Sequence, residues 1–189
     1  MTDGRPPRAD ARRNRARILE AAHAVFSSRG VSAPTEDIAR TAGVGIGTVF
    51  RHFPTKEALI EAVILIRLER LREQGELLAG ADDPGAAFFE FLSSVVDSSR
   101  TKLTLVDALG PADAVAALSD TPEGQDRRRL VDRILRRAQR AGAVRADVGV
   151  NEVIGLMVGC SRAAQYAGHD QRAVQRMLSV VYDGLRAHR

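Results

Sequence analysis

The chain has no tryptophan, one cysteine, two lysines and few aromatic residues, and each shortage removes a class of protein. Cys160 by itself cannot build an internal disulfide framework and gives no cluster of metal ligands. No apolar run approaches the roughly 18–20 residues that span a bilayer. The opening stretch MTDGRPPRADARRNRAR is charged, has no apolar segment behind it, and does not read as a secretory signal. A soluble cytoplasmic protein is the expectation. No strand-like alternation of apolar and polar residues occurs, which argues against a sheet. No glycine-rich phosphate loop follows a strand, and no carboxylate pair or Cys/His dyad has catalytic spacing. Neither an enzyme, nor a cofactor, nor a metal is expected.

What remains is ample material for a helical core. Of the 189 residues 44% are hydrophobic, and alanine, leucine, valine and arginine dominate, a mixture that favours helices over sheets. The net charge of +4 is unevenly spread. Residues 1–56 hold ten Arg/Lys against five Asp/Glu, while residues 57–189 hold eighteen against nineteen. The basic excess thus belongs to the N-terminal third, as in a small module that faces a polyanion. A plainer account stays open on charge alone. Arginine outnumbers lysine 26 to 2, which codon bias also produces, and arginine-rich helices are often merely solvated.

Periodicity predicts a first helix from about Asp10 to Ser28, with Ile18, Ala22, Val25 and Phe26 on one stripe and Gly30 as its stop. A second starts at Thr35, whose hydroxyl can cap free N–H groups, and ends at Gly43. A short segment, Gly45 to His52, precedes Pro54-Thr55 and a long helix from Lys56 to about Leu78. Beyond the loop Gly80–Gly85, two helices are expected, Ala86 to about Ser99 and Thr101 to about Leu109, followed by a break at Gly110-Pro111. The stretch Ala112–Ser119 is left undecided. Thr121-Pro122 announces another helix, ending near Gly142, with Leu130, Ile134, Leu135 and Ala138 inward and an arginine-rich face outward. Two final helices share one spacing: Val150, Val153, Ile154, Met157, Val158, Ser161, and Val174, Met177, Leu178, Val181, Tyr182, Leu185. The fold is expected to be all-α with about nine helices, in two domains: 1–56, and 57–189.

The informative stretch is TEDIARTAGVGIGTVFRHFPTK, Thr35 to Lys56. Two short helices meet at Gly43, which permits the positive φ of a tight turn, and a small residue, Ala39, lies where they cross. These are the demands of a helix-turn-helix, whose second helix enters the major groove. The exposed side of that helix is small: Gly45, Ile46, Gly47 and Thr48. Small residues allow close approach to base edges, and Thr48 can hydrogen-bond or pack on a thymine methyl. The alternative is that the glycines only loosen a surface turn. Arg51 and His52 suit phosphates and Phe50 the sugar-phosphate backbone, although His52 also reads as a core histidine. Lys56 stands in the first turn of a helix, where free N–H groups already favour an anion.

With these residues in place, ILEAAHAVFSSRG followed by TEDIARTAGVGIGTVFRHFPTKEALI resembles the TetR family of bacterial regulators over roughly Arg17 to Val63. The resemblance implies that Thr35, Phe50, His52 and Lys56 chiefly hold phosphates. It implies equally that Gly47, Thr48 and Ile46 approach bases. The family more often has tyrosine where Phe50 stands, so a hydroxyl-to-phosphate bond is absent here. Arg12, Arg13, Arg15 and Arg17 look like the basic N-terminal extension that some members lay along DNA. Further on, RRAQRAGAVRADVGVNEVIGLMVG, Arg136 to Gly159, resembles a feature that recurs in one group of the family's second domains.

That second domain is implied to dimerise through its last two helices and to enclose a small-molecule effector, with release from DNA as the outcome. The residues expected at the dimer interface are Val150, Ile154, Met157, Ser161, Val174, Leu178, Val181 and Tyr182, with Gly155 and Gly159 permitting close approach. Packing within one chain's own core is the competing account. Phe88, Phe89, Leu92 and Val96, with Phe91 and Val95, make one helix apolar nearly all round, more than one buried face needs. Together with Leu103, Val106, Leu109, Met157 and Tyr166 they are candidates for a ligand wall, or for plain core. Arg162 and His169 are candidates for a polar ligand group or for solvent-facing positions, and Cys160 for packing or redox sensing. The expected function is an effector-responsive repressor that binds a palindromic operator as a dimer. Action as an activator, or without an effector, is the alternative, and a helical adaptor without DNA binding is the rival from another class. The adaptor predicts acidic groups where the groove-facing positions are in fact small or basic.

Overall fold

The computed structural model describes residues 7–109, 121–167 and 170–187, with side chains at residues 9–98 of the first stretch. Eight helices occur among them: α1 (Pro7–Arg29), α2 (Thr35–Ala42), α3 (Ile46–His52), α4 (Lys56–Ala79), α5 (Pro84–Leu109), α6 (Pro122–Arg140), α7 (Val150–Tyr166) and α8 (Gln171–Leu185). The only extended pairing among these residues is an isolated antiparallel bridge between Val144 and Arg186. The protein is all-α. No helix among the described residues is long and apolar enough to cross a membrane.

Two differences from the expected elements have local causes. The two helices predicted over 86–109 are one, α5, because Ser98, Ser99 and Thr101 lower helix propensity without the steric block of a proline. Thr35 is the first residue of α2 rather than its cap: the N-cap is Pro34, which offers no side-chain acceptor. Elsewhere the hydroxyl caps form. Thr55 Oγ1 accepts from the Ala58 N–H at 3.1 Å, and Thr121 Oγ1 from the Gly124 N–H at 3.1 Å. The undecided stretch Ala112–Ser119 lies outside the described residues.

The chain divides into two compact units, with the boundary inside α4 between Ile66 and Arg67. In the first unit Ile18, Ala22 and Phe26 of α1, Ile38 and Ala39 of α2, Val49 of α3, and Leu59 and Val63 of α4 are all buried. The opening turns of α4 therefore belong to that core. Each fully buried aliphatic side chain of this kind stabilises a fold by about 1.5–3 kcal/mol.

In the second unit α5 is the central element, and Phe88, Leu92 and Val96 on it pack with Ile134 and Leu135 of α6, Val153 and Ala164 of α7, and Leu178 of α8. Gly75 lets α4 approach closely, since a Cβ there would lie 2.7 Å from the Phe91 ring and 2.8 Å from Leu130. The loop between α6 and α7 is held by the Gln139 amide, which donates to the Arg145 and Val148 carbonyls at 3.0 and 2.8 Å. The Arg145 N–H then donates to Leu185 O at 2.9 Å, fixing the end of α8.

Candidate nucleic-acid interface

The geometry of the candidate interface is set at the turn between α2 and α3. Gly43 adopts φ +62°, its N–H donates to Arg40 O at 3.1 Å, and the Val44 N–H donates to Ala39 O at 3.0 Å. These bonds satisfy the last carbonyls of α2 and send the chain directly into α3. Val49 is buried on the inner side of α3, and Phe53 anchors its end. Gly45, Ile46, Gly47, Phe50 and Arg51 are left facing solvent, while Thr48 and His52 are half-buried. A Cβ at Gly45 or Gly47 would meet nothing within 4 Å, so neither glycine is required by packing. Their use leaves the outer side of α3 low, with Ile46 37% and Phe50 45% exposed.

Several cations assigned to phosphates from the sequence already hold partners in the chain. Lys56 Nζ donates to Ala33 O at 2.8 Å, tying the start of α4 to the loop before α2. Arg17 Nη2 donates to Gly43 O at 3.4 Å, at the far end of α2. Arg15 lies 5.2 Å above the Phe53 ring, and Arg13 pairs with Asp10. Arg12, Arg13, Arg15 and Arg17 all stand within α1. Arg12 is exposed, and Thr35 is half-buried in the first turn of α2.

Sequence reasoning missed what Asp37 does. It bridges Arg29 of α1, at 2.8 Å, and Arg40 of its own helix. The spacing to Arg40 was readable as an i,i+3 pair, whereas Arg29 is brought there only by the packing of α1 on α2.

In the second unit, four residues expected at a dimer interface prove to be core. Met157, Ser161, Val174 and Leu178 are at most 5% exposed within the single chain, so they have almost no surface left for a partner. Val150, Ile154, Val181 and Tyr182 are half-buried at the edge of that core. The outer side of α7 and α8 carries Leu156, Val158 and Val180, the last 72% exposed, and Gly155, Gly159 and Gly184 there have open space where a Cβ would point.

Of the candidate ligand-wall residues, Phe88, Leu92, Val96 and Met157 are likewise taken up in core packing. Phe89 is half-buried with its ring 4.9 Å from that of Tyr182, whose hydroxyl donates to Phe89 O at 3.2 Å. Tyr166, at the end of α7 and 91% exposed, faces solvent. Arg162 is half-buried and bonded to Gln165. His169 and the side chains of Leu103, Val106 and Leu109 lie outside the described residues. Cys160 is buried, and burial pushes its thiol up, so it stays protonated and unreactive at neutral pH.

Likeness to known proteins runs along most of the chain. The profile of the bacterial regulatory proteins of the tetR family matches residues 18–63. That of the SbtR-like transcriptional regulator C-terminal domain matches residues 83–187, more than half of the chain. A solved TetR transcription regulatory protein from Mycobacterium vanbaalenii is 41% identical with a TM-score of 0.73, covering 96% of this chain and 99% of its own. A TetR transcriptional regulator from Streptomyces coelicolor is 36% identical with a TM-score of 0.71, covering 93% of this chain and 99% of its own. The curated HTH-type transcriptional regulator UidR of Escherichia coli is 44% identical over 62 residues, and the match spans only 32% of its length. With a helix-turn-helix at its head and this likeness along nearly its whole length, the chain belongs to the TetR family of transcriptional regulators, as a DNA-binding protein and not an enzyme.

Proposed function

We propose that this regulator is a repressor that binds a two-fold operator as a homodimer and leaves it when a small molecule binds the second unit. The observation that carries the dimer is the outer side of α7 and α8. Leu156, Val158 and Val180 face water there beside three glycines that add no bulk, a surface suited to close helix–helix contact. A second copy would bury that surface symmetrically and present two α3 helices to successive turns of duplex DNA.

The reading module comprises residues 1–56 with the first turns of α4, and the remainder carries the dimer face and the effector site. Gly45, Ile46, Gly47 and Thr48 approach bases, while Thr35, Phe50, Arg51, His52 and Lys56 serve the backbone, with Arg12, Arg13 and Arg17 flanking them. The effector enters beside α5, at the half-buried Phe89 and its contact with Tyr182.

Genome-wide capture of DNA bound by the protein, with transcript measurement after its removal, tests this reading. Palindromic fragments whose neighbouring transcripts rise on removal are expected. Transcripts that fall would make it an activator, and failure to capture any discrete fragment would overturn the regulator mechanism.

A further inference from the structure

We infer that the first turn of α3 reads thymine methyl groups through Ile46 and makes no bidentate hydrogen bonds to base edges. This rests on the DNA-reading role of α3 proposed above. Residues of a recognition helix that meet base edges lie at its N-terminal end, here Gly45 to Thr48. Bidentate recognition of guanine or adenine needs arginine, lysine, asparagine or glutamine, and this turn contains none of them. The one side chain in α3 with a bidentate fork, Arg51, stands a full turn further on, in the last turn. What the first turn does offer is an isoleucine 37% exposed between two glycines whose Cβ positions are open.

A β-branched side chain held by helical backbone has essentially one χ1 rotamer, so Ile46 presents a rigid apolar surface with little conformational freedom to lose on contact. Its neighbours have no side chains to hold the backbone away from the groove floor. In the major groove the only apolar group on a base edge is the C5 methyl of thymine. Phe50, one turn along on the same side and 45% exposed, extends the apolar strip toward the sugar-phosphate wall. The strip adjoins cationic Arg51, so the apolar patch sits on a surface that also suits a polyanion.

The test uses synthetic duplexes of the operator found by fragment capture, with each thymine replaced in turn by uracil, which removes the methyl and keeps the base pair. For the full-length protein, at least one thymine in each half-site should lose about fourfold in affinity, the value of one buried CH2 group. Ile46→Val should keep that discrimination, and Ile46→Ala should bind the thymine and uracil duplexes equally. A protein that protects a discrete operator yet binds every uracil duplex as tightly as the parent overturns the inference and leaves the regulator reading standing. Discrimination that persists undiminished in Ile46→Ala also overturns it. If no operator is protected, it is the regulator reading that fails.

Discussion

The two units use the same residue types to different ends. In the first, Ile46 and Phe50 face water on α3, a helix of only seven residues whose last turn carries Arg51. In the second, Leu156, Val158 and Val180 face water on the outer side of α7 and α8, beside glycines. Leu65 and Leu77 are exposed on α4, which runs through both units. An apolar patch beside cations suits an interface with a polyanion, and one among glycines suits packing against another helix. Arginine teaches the complementary lesson. On α6 the exposed row Arg129, Arg133 and Arg136 is paired with Asp126, Glu76 and Asp132, and Arg137 binds the Ala79 and Ala81 carbonyls. In the first unit too, Arg17 and Lys56 bind backbone carbonyls at opposite ends of α2. A count of charges therefore does not separate cations that only face solvent from those that also hold the helix-turn-helix in shape.

The largest effect is expected when one unit's core is damaged and the other is followed. Phe88→Ala should destabilise the second unit by about 3–5 kcal/mol. Thermal unfolding followed by hydrogen exchange should show amides of α5 to α8 exchanging faster while those of α1 to α3 change little. Loss of protection spread equally over both units would show that they do not unfold separately.

Next in size is the proposed dimer face. Leu156→Glu with Val180→Glu places charges on surfaces that already face water, so the monomer fold should survive with unchanged circular dichroism. Sedimentation should shift from dimer to monomer, and operator affinity should fall by at least about tenfold as the second reading head is lost. A dimer that persists in this variant would move the interface elsewhere.

Within the first unit, Gly43→Ala forces a side chain into positive φ and brings its Cβ to 2.6 Å from Arg17 Nη2. A loss of about 1–2 kcal/mol is expected in denaturant titration, since the left-handed region disfavours L-residues by that amount. Lys56→Ala should weaken binding to all DNA sequences and reduce the salt slope by about 1, whereas Thr48→Ala should alter sequence preference. Titration of specific and random duplexes at several salt concentrations separates the two. Equal losses on both duplexes for Thr48→Ala would remove it from base reading.

The smallest effect concerns alkaline pH. Burial raises both the Cys160 thiol and the Tyr182 hydroxyl above their ordinary values of 9.0 and 10.0. Both groups are neutral when protonated, so the folded state is favoured undiminished below the unfolded values and loses stability as pH rises through and beyond them. Denaturant midpoints should hold near pH 8 and fall by about pH 10, with a shallower fall in Cys160→Ala.

Much of this protein was legible in its sequence because the relevant physics is local. Among the described residues Gly30, Gly43 and Gly142 have positive φ, and each marks the end of a helix that the sequence predicts. Thr55 and Thr121 cap the helices they precede, and the inward residues of α6 follow from their spacing. The order of residues from Thr35 to Lys56 by itself specified two short helices and a turn. What local spacing left undecided is which neighbour a side chain meets. Met157 and Ser161 on α7, and Val174 and Leu178 on α8, have the same period whether they pack within the chain or on a second one, and it is the core shared with α5 and α6 that takes them inward. The same holds for Arg17 and Lys56. Their charge is written in the sequence, but that each is bound to a carbonyl far along the chain depends on how α1, α2 and α4 pack, since a charge attracts whatever the fold brings within reach.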